Sequence, residues 1–198
     1  MIQNEIEILR SIDHLNLIKL DSVYETKKNF YMVFELFCGG NLQEYVYTNG
    51  PLSESLVSFI LKNILEGLKY LHSKNIMHRD IKPENILFRT ANIKEPNQIV
   101  IADFGLATSN DVKEYLFPKC GTPGFVAPEI YSHNNPKEHY DLKCDLFSVG
   151  VTMYFMLTAG LPYSREKNLI IQNKECHFDF YEFKGFEKLS KEGFEIIL

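Results

Sequence analysis

Apolar positions change their spacing several times along the chain, and each change marks an element. Ile2, Ile6 and Leu9 recur on one face of the first eleven residues, which predicts a helix. Residues 17–25 and 30–36 are rich in Ile, Val, Tyr and Phe and predict two strands. The stretch CGGN at 38–41 breaks that pattern and predicts a connector. Leu56, Phe59, Ile60, Ile64, Leu68 and Leu71 then form a helical stripe, with Ser53 placed as N-cap and Glu54 in the first turn. Residues 86–88 and 99–102 predict short strands joined by a polar connector that contains Pro96. A loop punctuated by Gly and Pro runs from Asp103 to about Pro128, and the remainder predicts helices, the last within 190–198. A small strand-bearing portion thus precedes a larger helical one, without repeats or a long linker.

One run departs from the amphipathic pattern. Residues 146–163 carry no charge over 18 positions but include Ser148, Gly150, Thr152, Thr158, Gly160 and Pro162. The length only just reaches a bilayer, and a helix apolar on all sides is also the central helix of a domain core, so a buried helix is predicted and no transmembrane segment. Glu5 and Glu7 interrupt any apolar leader at the start of the chain. With 198 residues, 45% hydrophobic and 24% charged, one substantial globular core is expected. The formal charge of −5 excludes bulk attraction to nucleic acid or anionic membrane, so any phosphate binding must be local. Cys38, Cys120, Cys144 and Cys176 are dispersed, which predicts free thiols in a reducing, cytoplasmic compartment.

The candidate chemistry lies in MHRDIKPENILF, residues 77–88, and in a second segment downstream. Asp80 and Asn85 are five apart, and Asp103 follows 18 residues after Asn85. Phosphoryl transfer from a nucleotide needs oxygen ligands for a divalent metal across the phosphates. It also needs a carboxylate to take the proton of the attacking hydroxyl, and a cation to offset charge on the migrating group. Asp80, Lys82, Asn85 and Asp103 supply those parts together, although each alone reads as a solvated loop residue. Gly105 gives backbone freedom beside Asp103, and Phe104 gives an apolar anchor.

HRDIKPEN, DFG and APE occur in that order, and on these strings the chain resembles a eukaryotic-type protein kinase catalytic domain. The resemblance implies an α+β, bilobal fold, with a remnant of the β-rich N-lobe over 1–37 and a hinge and mainly helical C-lobe over 38–198. It implies ATP and Mg²⁺ as cofactors. Asp80 would be the catalytic base, Lys82 would stabilise the transferring phosphate, and Asn85 and Asp103 would hold the metal. Glu35 and Phe37 would offer backbone hydrogen bonds to adenine, Phe34 would stand as gatekeeper, and Leu87 would lie beneath the base. Arg79 resembles the cation that ties the catalytic loop to the activation segment. Glu5 matches the helix glutamate that pairs with a strand lysine, while His78, Phe104, Leu9 and Leu20 match the apolar stack between lobes. Lys82 and the segment CGTPGFVAPEI at 120–130 match the serine/threonine version, nearest the calcium/calmodulin-dependent kinase group. Thr122 would then shape the pocket beside the acceptor, Glu84 would face basic substrate residues, and protein Ser/Thr hydroxyls would be the acceptors.

Departures from the family pattern set further expectations. No GxGxxG occurs, the resemblance begins inside the helix of Glu5, and no residue fills the place of the strand lysine. The arginine that pairs with Glu129 of APE is also without a match. The resemblance therefore implies a domain truncated at both ends, with low activity and marginal stability as an isolated chain. Pro118 occupies the common phosphothreonine position, Asn41 a position where a ribose-binding carboxylate often sits, and Phe155 an acidic position that reads arginine in basophilic relatives. A pseudokinase-like scaffold is the competing reading, favoured by the absent lysine and opposed by the intact Asp80, Lys82, Asn85 and Asp103. A small-molecule phosphotransferase shares the Asp and Asn set but lacks the peptide-docking segment at 120–130.

Overall fold

The computed structural model describes residues 2–95, 97–112, 115–132, 139–163, 167–178, 189–191 and 193. Helix α1 (Ile2–Ser11) buries Ile6, Ile8 and Leu9, as its apolar spacing predicts. Strands β1 (Leu20–Glu25) and β2 (Phe30–Phe34) pair antiparallel, with Tyr24 opposite Tyr31 and Glu25 opposite Phe30. The predicted first strand starts three residues late, because Asn16, Leu17 and Ile18 are drawn onto another strand. That strand is β5 (Ile99–Ile101), which pairs antiparallel with β4 (Ile86–Phe88). Ile18 N donates to Ile101 O at 2.9 Å, and Ile101 N donates to Asn16 O at 2.9 Å. Asn16, itself buried, donates through Nδ2 to Asn63 Oδ1 and Ile99 O. This short segment joins the strand-bearing part to the helical part.

Helix α2 (Leu42–Asn49) was not legible in the apolar pattern, which placed only a connector before it. Asn41 explains its start: the Asn41 side chain accepts from Glu44 N at 2.9 Å and caps the helix. Helix α3 (Glu54–Ser73) is the longest element and buries Val57, Ile60, Ile64, Leu68 and Leu71. Leu56 and Phe59, predicted on the same stripe, are half-buried at its edge. Ser53 occupies the N-cap position, but its hydroxyl meets Ser55 Oγ at 3.2 Å instead of a helix amide. Gly67 lets α3 press on β5, since a Cβ there would lie 3.1 Å from Ile101 Cδ1 and 3.2 Å from Asn16 O.

The uncharged run forms helix α5 (Lys143–Thr158), which begins earlier than the run and ends at a left-handed Ala159. It is buried almost all round, and among the described residues no helix is long and apolar enough to cross a membrane. Two short strands absent from the sequence reading, β3 (Ile76–Met77) and β6 (Thr108–Ser109), pair antiparallel. Helices α4 (Pro128–Ser132) and α6 (Leu169–Lys174) complete the described set, while most of the helix predicted within 190–198 lies outside the described residues. The architecture is α+β, a small strand-bearing part beside a larger helical part.

Ile64 sits fully buried at the middle of α3, within the main core cluster. Ile64→Ala should cost about 2–5 kcal/mol through lost contacts and the cavity left behind. Urea denaturation measures it; a loss under about 1 kcal/mol would mean that the α3 face is not the core.

Candidate active site

The site begins where β3 delivers the chain into residues 78–85. A buried carboxylate organises that turn. Asp145, in the first turn of α5 and wholly buried, accepts from His78 N at 2.9 Å and from Arg79 N at 2.8 Å. Its Oδ2 also meets His72 Nε2 at 2.9 Å. Arg79 takes a positive φ of 66°, which a non-glycine residue holds only when its surroundings over-determine it. The two backbone bonds to Asp145 provide that constraint.

Beyond Arg79 the functional side chains converge. Asp80 Oδ2 lies 2.9 Å from Lys82 Nζ, and Asp80 Oδ1 accepts from Thr122 Oγ1 at 2.7 Å. Lys82 Nζ also donates to Thr122 Oγ1 at 2.7 Å, so acid, cation and hydroxyl close a triangle. Asn85, at the end of a 3-10 turn (Pro83–Asn85), donates through Nδ2 to Asp80 O at 2.9 Å and to Asp80 Oδ2 at 3.2 Å. Its amide nitrogen is thereby engaged, and the amide oxygen is the acceptor atom that remains. Ala102 N donates to Asn85 O at 2.8 Å, which sets Asp103, next in the chain, beside Asn85.

Asp103 is exposed, has a φ of 63°, and accepts from Gly105 N at 3.2 Å. Phe104 beneath it is buried and meets His78 edge-on at 5.0 Å, while His78 Nε2 lies 3.0 Å from Ala102 O. Leu9 and Phe104 belong to one core cluster, and Leu20 packs against it. From α1, Asn4 donates to Ala107 O at 2.9 Å, and this turns Glu5 toward Asp103. Partial burial, and then the negative charge of Asp103, raise the Glu5 pKa above the ordinary carboxylate value. Among the described residues neither acid forms an ion pair.

Arg79 spreads its guanidinium across the activation segment. Nε donates to Leu106 O at 2.7 Å, and Nη1 donates to Phe117 O and to the Tyr140 hydroxyl, both at 2.8 Å. The same group lies over the Tyr115 ring, 5.3 Å from its centre. Burial pushes the Tyr115 hydroxyl up to about 12 and raises the Cys120 thiol, so neither is a nucleophile at neutral pH.

The remaining predicted residues lie around this centre. Glu35 turns its side chain to Arg89 in a two-pronged ion pair, with Nε to Oε2 at 3.0 Å and Nη2 to Oε1 at 2.9 Å. Phe34 and Phe37 pack on the core margin. Leu87 bridges to Asn41, while Gly39 N donates to Phe88 O and Cys38 N to Arg89 O. The hinge-like segment is thus laced to β4. Glu84 and Glu129 are exposed, and Phe155 is buried edge-on against Tyr47 at 5.6 Å.

Sequence reasoning missed Asp145, His72 and Tyr140. A signal existed for the first: Asp145 directly precedes the uncharged run, and a carboxylate at the mouth of a buried helix needs donors. Asp145→Ala would orphan the amides of His78 and Arg79, and should cost at least about 2 kcal/mol. Asp145→Asn, which keeps an acceptor, should lose less. Equal denaturation midpoints for both variants and the native chain would overturn the organising role of this carboxylate.

Comparison with known proteins shows what the chain as a whole is similar to. The family described as "Protein kinase domain" matches residues 1–196. A calcium-dependent protein kinase 5 of Plasmodium berghei is 39% identical over 197 residues, which are 99% of this chain and 34% of that protein. A probable myosin light chain kinase of Dictyostelium discoideum is 36% identical over 198 residues, 100% of this chain and 61% of the relative. A probable serine/threonine-protein kinase of the same organism is 39% identical over 183 residues, 90% of this chain and 30% of its own length. The chain therefore spans between about a third and three-fifths of these relatives. With a family match over nearly its whole length, and with HRDIKPEN, DFG and APE in that order, the chain belongs to the protein kinase domain family.

Proposed function

We propose that the protein transfers the γ-phosphate of ATP to serine or threonine hydroxyls of protein substrates. The triangle of Asp80, Lys82 and Thr122, closed at 2.7–2.9 Å, carries this reading. The acceptor oxygen attacks the γ-phosphorus, the bond from that phosphorus to the bridging oxygen breaks, and ADP leaves. Asp80 receives the acceptor proton. Lys82 offsets charge on the migrating group, and its hold on both Asp80 and Thr122 keeps the base oriented.

Asp103 and Asn85 are the residues that would hold Mg²⁺, and they fit it. One exposed carboxylate without an ion pair among the described residues, and one amide oxygen, leave room for phosphate oxygens and water, the coordination this hard cation favours. Bound there, the ion would neutralise phosphate charge. The hinge-like residues Glu35 and Phe37, with Leu87 beneath, are the proposed nucleotide-binding positions. The four free cysteines fit a reducing compartment, and the cytoplasm is the proposed location.

One observation favours the second reading, a catalytically silent scaffold: Glu5 faces Asp103 and pairs with no cation among the described residues. Incorporation of labelled phosphate from ATP into a peptide separates the two readings.

Three outcomes are expected of an active protein. Asp103→Ala should weaken Mg²⁺-dependent nucleotide binding roughly a hundredfold, a loss of about 2.7 kcal/mol of binding free energy. Asp80→Ala should leave that binding largely intact while lowering turnover by roughly 10²–10⁴. Equal loss of binding in both variants, with native circular dichroism, contradicts the division of roles. In a peptide library offering Ser, Thr and Tyr equally, phosphate should appear on Ser and Thr; predominant phosphotyrosine would mean that the Thr122 segment has been misassigned.

A further inference from the structure

The loop that carries Thr122 has almost no backbone partners of its own. Phe125 N donates to Thr122 O at 3.0 Å, and among the described residues no backbone group of a strand or helix takes up the next groups. Side chains from two other elements take them instead. Gly124 N donates to Asn173 Oδ1 at 2.9 Å, and Tyr163 donates its hydroxyl to Gly124 O at 3.0 Å. Ser148, on α5, donates to Phe125 O at 2.7 Å. Asn173 Nδ2 donates to Val126 O at 2.8 Å. Asn173 thus serves two of these four groups, and it does so wholly buried on α6.

We propose that Asn173 is a positioning residue for the phosphate acceptor, a buried clamp on α6 that fixes the 122–126 loop and through it the Thr122 hydroxyl against Asp80 and Lys82. The inference rests on the kinase reading above. Three features make the clamp rigid. Asn173 offers one donor and one acceptor from a single planar amide, so both loop bonds are set by one rotamer. Gly124 has a φ of 95°, and a Cβ there would lie 3.1 Å from Leu161 Cδ1, so the loop has no slack toward that side. Tyr163 is backed by Phe178, with ring centres 5.7 Å apart. The Asn173 amide cannot be exchanged for an apolar side chain of similar size without leaving two buried backbone groups unpaired. The loop would then relax and shift the acceptor platform, and displacements of an ångström there cost up to about a hundredfold in rate.

The test uses the full-length protein and two variants. In Asn173→Leu, exchange of the Gly124 amide hydrogen should accelerate on the order of tenfold or more, while amides of α3 and α5 keep their rates. The KM for a peptide substrate should rise roughly tenfold with the KM for ATP unchanged, a split that loss of general stability would not produce. Tyr163→Phe removes one hydroxyl and leaves both Asn173 bonds, so Gly124 should stay protected and the peptide KM should rise less. Unchanged Gly124 exchange in Asn173→Leu, loss of protection spreading through α3 and α5, or an equal rise in both KM values would overturn the clamp. If the native protein transfers no phosphate to any peptide, the kinase reading fails, and the exchange measurement still decides whether Asn173 holds the loop.

Discussion

A single buried carboxylate sets the geometry on which the rest of the site depends. Asp145 is wholly buried, so its charge is tolerable only because three donors converge on it, two from the backbone of His78 and Arg79 and one from His72. Hydrogen bonds to a charged group contribute about 1.5–3 kcal/mol each, more than a neutral pair. That is enough to hold Arg79 in the left-handed region. Lys82, Asn85 and Thr122 then gather on Asp80 at 2.7–3.2 Å. The carboxylate proposed as the base is thus positioned by one that is wholly buried.

The same device recurs around the site. Segments that lack a ladder of their own are held by buried polar side chains reaching across from helices. Arg79 spans Leu106 O, Phe117 O and the Tyr140 hydroxyl, and Tyr115 in turn donates to Tyr140 O at 2.9 Å. These partners are carbonyls and a phenol, all uncharged. Pro118 follows Phe117 directly, and the acceptors that occupy the Arg79 guanidinium here are neutral. Asn173, Tyr163 and Ser148 do for the 122–126 loop what Arg79 does for the preceding segment. Core packing supplies the platform; the polar links supply registration.

Much of this was legible in residue order. The helical stripe of α3, the strand pair of 86–88 and 99–101, and the buried character of α5 all follow from apolar spacing, because burying one face or all faces is what those spacings allow. The positions of Asp80, Lys82, Asn85 and Asp103 were named from their residue types and order, and Thr122 from the family resemblance of residues 120–130. Helix α2 escaped because its apolar periodicity is weak; its start depends on one Asn41 cap. Strands β3 and β6 escaped because two residues apiece carry no readable period. The first predicted strand began too early, since nothing local tells Leu17 that it will pair with Ile101.

Residue identity by itself determined the inventory: which acids, amides and cations are available, where glycine and proline punctuate the chain, and which helices must bury a face. Periodicity and local chemistry act over a few residues, so they can be read in order along the chain. Only the tertiary structure decided which partners meet. Asp145 lies 66 positions beyond Arg79, Thr122 lies 42 beyond Asp80, and Asn173 lies 49 beyond Gly124. Those bonds form because packing of α3, α5 and α6 brings buried polar atoms together, and each such atom must find a partner there or cost the fold its desolvation.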